Sequence, residues 1–225
     1  LTLTMAGTFS VQANLDRSNS FDPLFYMYRY HIDEADYAAH DPMVRINTYS
    51  DSDGASADAW YWGADRYLRG LPGAMDAAVA SMTTLNKSAA EISRSYDVHA
   101  ATDVTGFSFL GHLHEMMGGR LSCRIDGSAV PVLPGAWQAA DDCLYTAAGQ
   151  RNRNHTGPFV RFENVPFAMQ EILFDPQTSG GLLLAVASKE AESLRDELQK
   201  ASLPAQIVGE ITEKQDAEIV VSYPE

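Results

Sequence analysis

Asp103, Val104, Thr105 and Gly106 put a carboxylate, a hydroxyl and a glycine into four consecutive positions. Such a run can do chemistry if it falls at a strand-to-helix turn. A carboxylate oxygen holds a hard cation such as Mg²⁺, unpaired amides opening a helix favour a phosphate, and glycine lets the backbone come close to a ligand. The competing reading is that Asp103 or Thr105 does no more than cap the following helix. One aspartate does not make a metal site, so other groups must be sought.

Two stretches offer them. In Gly149-Gln-Arg-Asn-Arg-Asn-His-Thr-Gly157, read as a loop, Arg151 and Arg153 could bind phosphate through charge-assisted pairs, or pair with nearby carboxylates instead. In Asp175-Pro-Gln-Thr-Ser-Gly-Gly181, Thr178 and Ser179 followed by two glycines suit a backbone cradle, or equally a tight turn. His112 and His114 stand two apart, which on a helix points them to different sides and argues against a shared metal; His112 reads first as packing or capping. The acidic run Asp33, Glu34, Asp36, His40, Asp41 is a cation site or a solvated loop face. Asp51, Asp53 and Gly54 lack the glutamate that would close a calcium loop. Cys123 and Cys143, the only cysteines, are too few for a disulfide scaffold or a zinc knuckle and read as reduced thiols.

The elements that position Asp103 follow from periodicity. Residues 96–102 are β-compatible and deliver it, and 110–117 have helical apolar spacing. Upstream, Met75, Val79, Met82, Leu85, Ala89 and Ile92 recur at three- and four-residue steps, predicting one helix over 75–94. Downstream the pattern predicts a strand at 121–125, a helix at 136–148 around Trp137, Ala140, Leu144 and Tyr145, a strand at 159–162, a helix at 167–173 and a buried strand at 182–186. A helix at 188–201 opens with a capping box at Ser188 and turns Ala191, Leu194 and Leu198 inward, and strands at 205–211 and 217–222 close the chain. Before residue 74, positions 1–15 alternate, with Leu1, Leu3 and Met5 on one side, as a half-buried strand or hairpin. Strands at 24–32 and 43–49 and a short helix at 57–69 follow. Strands alternating with helices from 74 onward indicate an α+β fold, an α/β sandwich with a mixed sheet and helices on one face. The domain division is an unassigned, smaller β-rich segment over 1–73 and a domain over 74–225.

A net charge of −14 with pI near 4.7 argues against a nucleic-acid partner, since no Lys/Arg stripe exists to release counterions. A nucleotide can still bind where Mg²⁺ and amides neutralise its phosphates. No apolar run approaches the roughly 20 residues that span a bilayer, and Leu-Thr-Leu-Thr at the start lacks a charged leader, so no membrane is expected and the cytoplasm is the default.

TDVTGF-x-x-LGHL-x-EM at Thr102–Met117 and DPQTSGGLLLAV at Asp175–Val186 resemble the hallmark segments of the C-terminal domain of selenophosphate synthetase, also called selenide, water dikinase. TLNKSAAEI resembles part of the helix that opens that domain, and Gly149–Arg153 its glycine-to-Arg-Asn loop. The resemblance covers about residues 74–222. It implies a C-terminal domain of the aminoimidazole-ribotide-synthetase-like superfamily and Mg²⁺-dependent conversion of ATP, selenide and water to selenophosphate, AMP and phosphate. Asp103 would then be a metal ligand bridging to the nucleotide phosphates, with Thr102, Thr105, Gly106, Arg151, Thr178 and Ser179 about the nucleotide. A homodimer through the N-terminal half is also implied.

The chain departs from the family in two places. Ser108 and Phe109 stand where the family reads glycine and an aliphatic residue. No Cys precedes Cys123 and no Lys precedes Lys87, so the family's catalytic Cys or selenocysteine and its Lys have no candidate. The catalytic residues are unknown on this reading, and turnover by the chain alone is not expected. The alternative is a non-catalytic remnant or scaffold whose residues 1–73 form an interaction module.

Overall fold

Five apolar residues in succession, Leu182–Val186, leave a strand no polar side to turn to water, and four of the five are fully buried. The computed structural model describes residues 2–6, 73–143, 146–177 and 180–224. The readings at 24–32, 33–41, 43–49, 51–54 and 57–69, together with Leu144, Tyr145, Thr178 and Ser179, lie outside the described residues.

The strands are β1 (Thr2–Ala6), β2 (Val98–Asp103), β3 (Leu121–Asp126), β4 (Val160–Glu163), β5 (Leu182–Val186), β6 (Ala205–Glu213) and β7 (Ile219–Ser222). They form one sheet in the order β2-β5-β1-β6-β3-β7-β4. β7 pairs in parallel with β3 and β4 and the remaining pairs are antiparallel, so the sheet is mixed.

Period-two alternation splits β5 between two cores. Leu183 and Ala185 join Leu3, Ile125, Ile219 and Val221 on one side. Leu184 and Val186 join Leu194, Leu198 and Ala205 on the other. The helices are α1 (Ala74–Thr83), α2 (Lys87–Ser93), α3 (Ser108–Met117), α4 (Ala136–Asp141), α5 (Ala147–Thr156), α6 (Phe167–Phe174) and α7 (Ala191–Lys200). α3, α4 and α6 bury Phe109, Leu110, Leu113, Ala139, Ile172 and Phe174 in the larger core. Ala191, Leu194 and Leu198 of α7 and Ala89 of α2 make the smaller one. The expected α+β sandwich with a mixed sheet is what forms, and the α2–α7 pair adds a second, smaller helical layer.

β1 comes from the far end of the sequence yet lies between β5 and β6, with Leu3 wholly buried. The register of β1 against β6 slips between Leu3 and Thr4, where Leu3 faces Gly209. Gly209 also faces Ile125 of β3, and a Cβ there would sit 2.2 Å from the Arg124 carbonyl oxygen. Only glycine lets the three strands close at that point.

Four expectations are corrected. The single helix over 75–94 is two. Thr84 adopts an extended ψ of 119°, and the Thr83 and Thr84 hydroxyls donate back to the Val79 and Ala80 carbonyls at 2.8 and 2.7 Å, ending α1. Val79 and Leu85 of the supposed stripe are consequently exposed. The supposed loop over 149–157 is most of α5, capped by the Thr146 hydroxyl, which accepts from the Gly149 amide at 2.7 Å. The helix placed at 136–148 ends at Asp141 and gives way to Cys143 at φ 61°. The helix expected to open at Ser188 starts instead at Ala191, after a 3₁₀ turn over Ser188–Glu190, and Glu190 Oε2 accepts from the Asp97 amide at 2.8 Å.

Candidate functional site

The apolar character of β5 fixes it inside the sheet, and β2 can only be its outer neighbour, so Asp103 ends an edge strand opposite Leu182. Pairing continues past the strand ends. The Val104 amide donates to the Gly181 carbonyl at 2.9 Å, the Gly180 amide to the Val104 carbonyl at 3.0 Å, and the Gln177 amide to the Thr105 carbonyl at 3.0 Å. These bonds clamp together the two motif stretches, 72 or more residues apart in sequence. Gly180 is needed for it, because a Cβ there would lie 2.8 Å from both the Val104 oxygen and the Gln177 Cβ.

The support beneath this clamp is buried and polar. Asp175, 1% exposed, accepts from the Thr146 hydroxyl at 3.2 Å and from the Gln177 side-chain amide at 3.2 Å. Asn152 of α5 donates to the Gly106 carbonyl at 3.0 Å and to the Phe174 carbonyl at 3.1 Å, tying the turn to the end of α6. Thr146, Asn152, Asp175 and Gln177 are positioning residues that the sequence reading did not single out. In the sequence they are ordinary polar residues, and only the burial seen in the structure marks them as groups that demand partners.

Of the sequence candidates, Asp103 is exposed and its carboxylate has no hydrogen-bond or ion-pair partner among the described residues. Thr102 is half-buried and donates from its hydroxyl to the Asp103 carbonyl at 3.1 Å. A Cβ on Gly106 would meet nothing within 4 Å, so the space before it is open. Neither Asp103 nor Thr105 caps α3 with its side chain; Ser108 does, its hydroxyl accepting from the Gly111 amide at 3.3 Å. The Thr105 hydroxyl instead meets His112 Nε2 at 3.0 Å, and His112 Nδ1 meets Glu115 Oε2 at 3.0 Å. His114 faces elsewhere, stacked on Phe159 with ring centroids 4.2 Å apart and bonded to Glu218.

The two arginines part company, as residues two apart on a helix must. Arg153 is held by Glu171 at 2.6 Å and lies 4.8 Å from the Phe174 ring centroid, so it is committed to the fold. Arg151 is exposed and pairs with no described residue. Thr178 and Ser179 belong to the clamped stretch but are themselves undescribed.

Among the described residues no group of three His, Cys, Asp or Glu side chains could hold a metal ion. A lone carboxylate beside hydroxyls and open space is still compatible with Mg²⁺, which keeps several waters and is held through one or two carboxylates plus substrate phosphates. The described residues do not make up a four-ligand zinc centre. A shallow pocket of about 130 Å³ lies toward the opposite edge of the sheet, lined by Cys123, Arg124, Arg161 and Gln215 among others. Its thiol stays protonated at neutral pH, because burial, with Glu218 nearby, pushes Cys123 up to about 12.

Residues 64–222 match the family described as AIR synthase related protein, C-terminal domain. A protein named selenide, water dikinase from Agathobacter rectalis is 55% identical over 151 residues, covering 67% of this chain and 44% of that protein. Proteins of the same name from Desulfitobacterium hafniense and Treponema denticola are 45% and 39% identical, covering 66% and 67% of this chain and 44% of each relative. The chain thus spans less than half the length of these relatives. Among the described residues no helix is long and apolar enough to cross a membrane.

Proposed function

Because the chain belongs to the family of AIR synthase related proteins, C-terminal domain, we propose that it supplies the C-terminal part of a selenide, water dikinase. The reaction is conversion of ATP, selenide and water to selenophosphate, AMP and phosphate. The observation that carries this reading is the clamp between Val104–Thr105 and Gln177–Gly181, which leaves the unpartnered Asp103 carboxylate at an open edge. The relatives' shared name supports it independently.

In this reading Asp103 would hold Mg²⁺, and Thr102, Thr105, Gly106, Arg151, Thr178 and Ser179 would bind the nucleotide. The cation supplies charge neutralisation and orientation of the phosphoryl groups. The chain's own part is positioning. β2 and β5 set where Asp103 stands, Asn152 holds the Gly106 turn, and Asp175 holds the facing stretch. The nucleophilic Cys or selenocysteine and the Lys come from outside these residues, as does any dimer contact, so turnover requires an N-terminal half.

Calorimetry of Mg²⁺–ATP binding tests the reading, on the chain alone and with the N-terminal half of a relative added. Asp103→Ala is expected to weaken binding about tenfold or more, the loss typical when a metal site is stripped of a supporting group. Selenide-dependent AMP release should appear only with the N-terminal half present. Absence of nucleotide binding in both settings refutes the proposal.

A further inference from the structure

Thr105, His112 and Glu115 form a hydroxyl–imidazole–carboxylate chain with both contacts at 3.0 Å. His112 is 7% exposed, and the Phe107 ring lies 5.7 Å from it, tilted over the turn. The polarity of this chain follows from its ends. An ionised Glu115 can only accept, so in the neutral ring the His112 proton sits on Nδ1 and Nε2 is left with a lone pair. That lone pair takes the Thr105 O–H. The hydroxyl proton is then used on His112, and the part-buried Thr105 Oγ1 keeps only lone pairs for any further partner. Glu115 is itself largely exposed, but its task is to choose which ring nitrogen is protonated, and that choice survives the screening of its charge.

A group that only accepts is matched to some ligands and mismatched to others. Water on a hydrated cation presents protons outward and suits it, whereas a phosphate oxygen is a second acceptor and does not. Thr105 lies two residues beyond Asp103, about 6.6 Å along extended chain, within the span of one hydrated divalent ion. Resting on the Mg²⁺–nucleotide reading above, we infer that His112 is a positioning residue. Oriented by Glu115, it makes the Thr105 hydroxyl an acceptor for cation-bound water and keeps it from acting as a phosphate donor.

The test has a spectroscopic arm and a binding arm. Nitrogen-15 spectra of the ligand-free chain at about pH 8, well above the ordinary histidine pKa, should show His112 as the neutral Nδ1–H tautomer. Glu115→Ala should shift it toward the mixture found in free imidazole. An Nε2–H tautomer, or an imidazolium at that pH, overturns the inference. For Mg²⁺–ATP binding, His112→Leu should weaken affinity roughly tenfold, and His112→Gln, whose amide oxygen can accept from Thr105, should restore most of it. Thr105→Val should match His112→Leu, and the double variant should be no worse than either, since the two act as one unit. Urea midpoints for each variant separate these losses from unfolding. Full affinity in His112→Leu, with affinity lost in Thr105→Val, also overturns it. If no variant or wild-type chain binds nucleotide, the preceding proposal fails, and the nitrogen shifts still decide the state of the hydroxyl.

Discussion

Ser108 carries the sharpest stability prediction. It is fully buried, opens α3, and has φ 72°, in the left-handed region that disfavours any residue with a Cβ. The strain is about 1–2 kcal/mol for an L-residue. Ser108→Gly relieves it, loses a few tenths of a kcal/mol of capping, and adds roughly 0.4–1 kcal/mol of unfolded-state entropy. The net is a change near zero or stabilising by about 0.5 kcal/mol. Ser108→Ala keeps the strain and loses the bond from the Gly111 amide at 3.3 Å, costing about 1 kcal/mol. The difference between the two variants is therefore about 1.5 kcal/mol, with glycine the more stable. For a chain of 225 residues that corresponds to roughly 3–6 °C in Tm. Urea unfolding of both variants, fitted with a shared slope, measures it directly. Equal stabilities, or alanine above glycine, would refute the claim that left-handed strain resides at this turn.

Two further outcomes follow from titratable groups. Burial alone would raise Glu218, but hydrogen bonds from Lys214 and His114, with their charges, carry its carboxyl below the ordinary glutamate value. A depressed folded pKa adds stability that is complete above the unfolded value, about 4.3, and is lost as pH falls through the folded one. Glu218→Gln should thus be less stable by about 1–3 kcal/mol at neutral pH, and the gap should close on acidification, as urea midpoints across pH will report; a gap constant with pH would contradict the assignment. A thiol reagent at neutral pH should label Cys143, which is exposed, and spare Cys123, whose buried thiol sits near 12, until urea unfolds the chain. Fast labelling that persists in Cys143→Ser would show Cys123 to be open.

What could be read from the sequence tracks the range of the forces involved. β5 and α7 were legible because a buried strand and an amphipathic helix declare themselves within a few residues. The strand-to-helix turn at Asp103 was legible for the same reason. α1 and α2 were not separable, because the apolar spacing runs on through Leu85 while the break comes from Thr83 and Thr84 bonding back to the helix. α5 escaped because its buried side is only Gly149 and Thr156, two small residues that no periodicity test weighs as apolar. The place of β1 between β5 and β6 depends on pairing across almost the whole chain, which no local pattern encodes.

The same distinction separates the polar residues of the two clamped stretches. Asp175 lies at 1% exposure with its oxygens bonded to Thr146 and Gln177, so its removal would take an acceptor from two buried groups. Arg153 likewise pairs with the buried Glu171 carboxylate, which Gln150 also bonds, so its removal would leave that group without its ion partner. Asp103 has no such duty. An exposed carboxylate at a strand end, with no partner among the described residues, contributes little to their packing. Of the two aspartates that the backbone bonds between Val104 and Gly181 bring into one neighbourhood, one is consumed in building the turn and the other has no partner among the described residues, which is the feature the Asp103→Ala binding measurement probes.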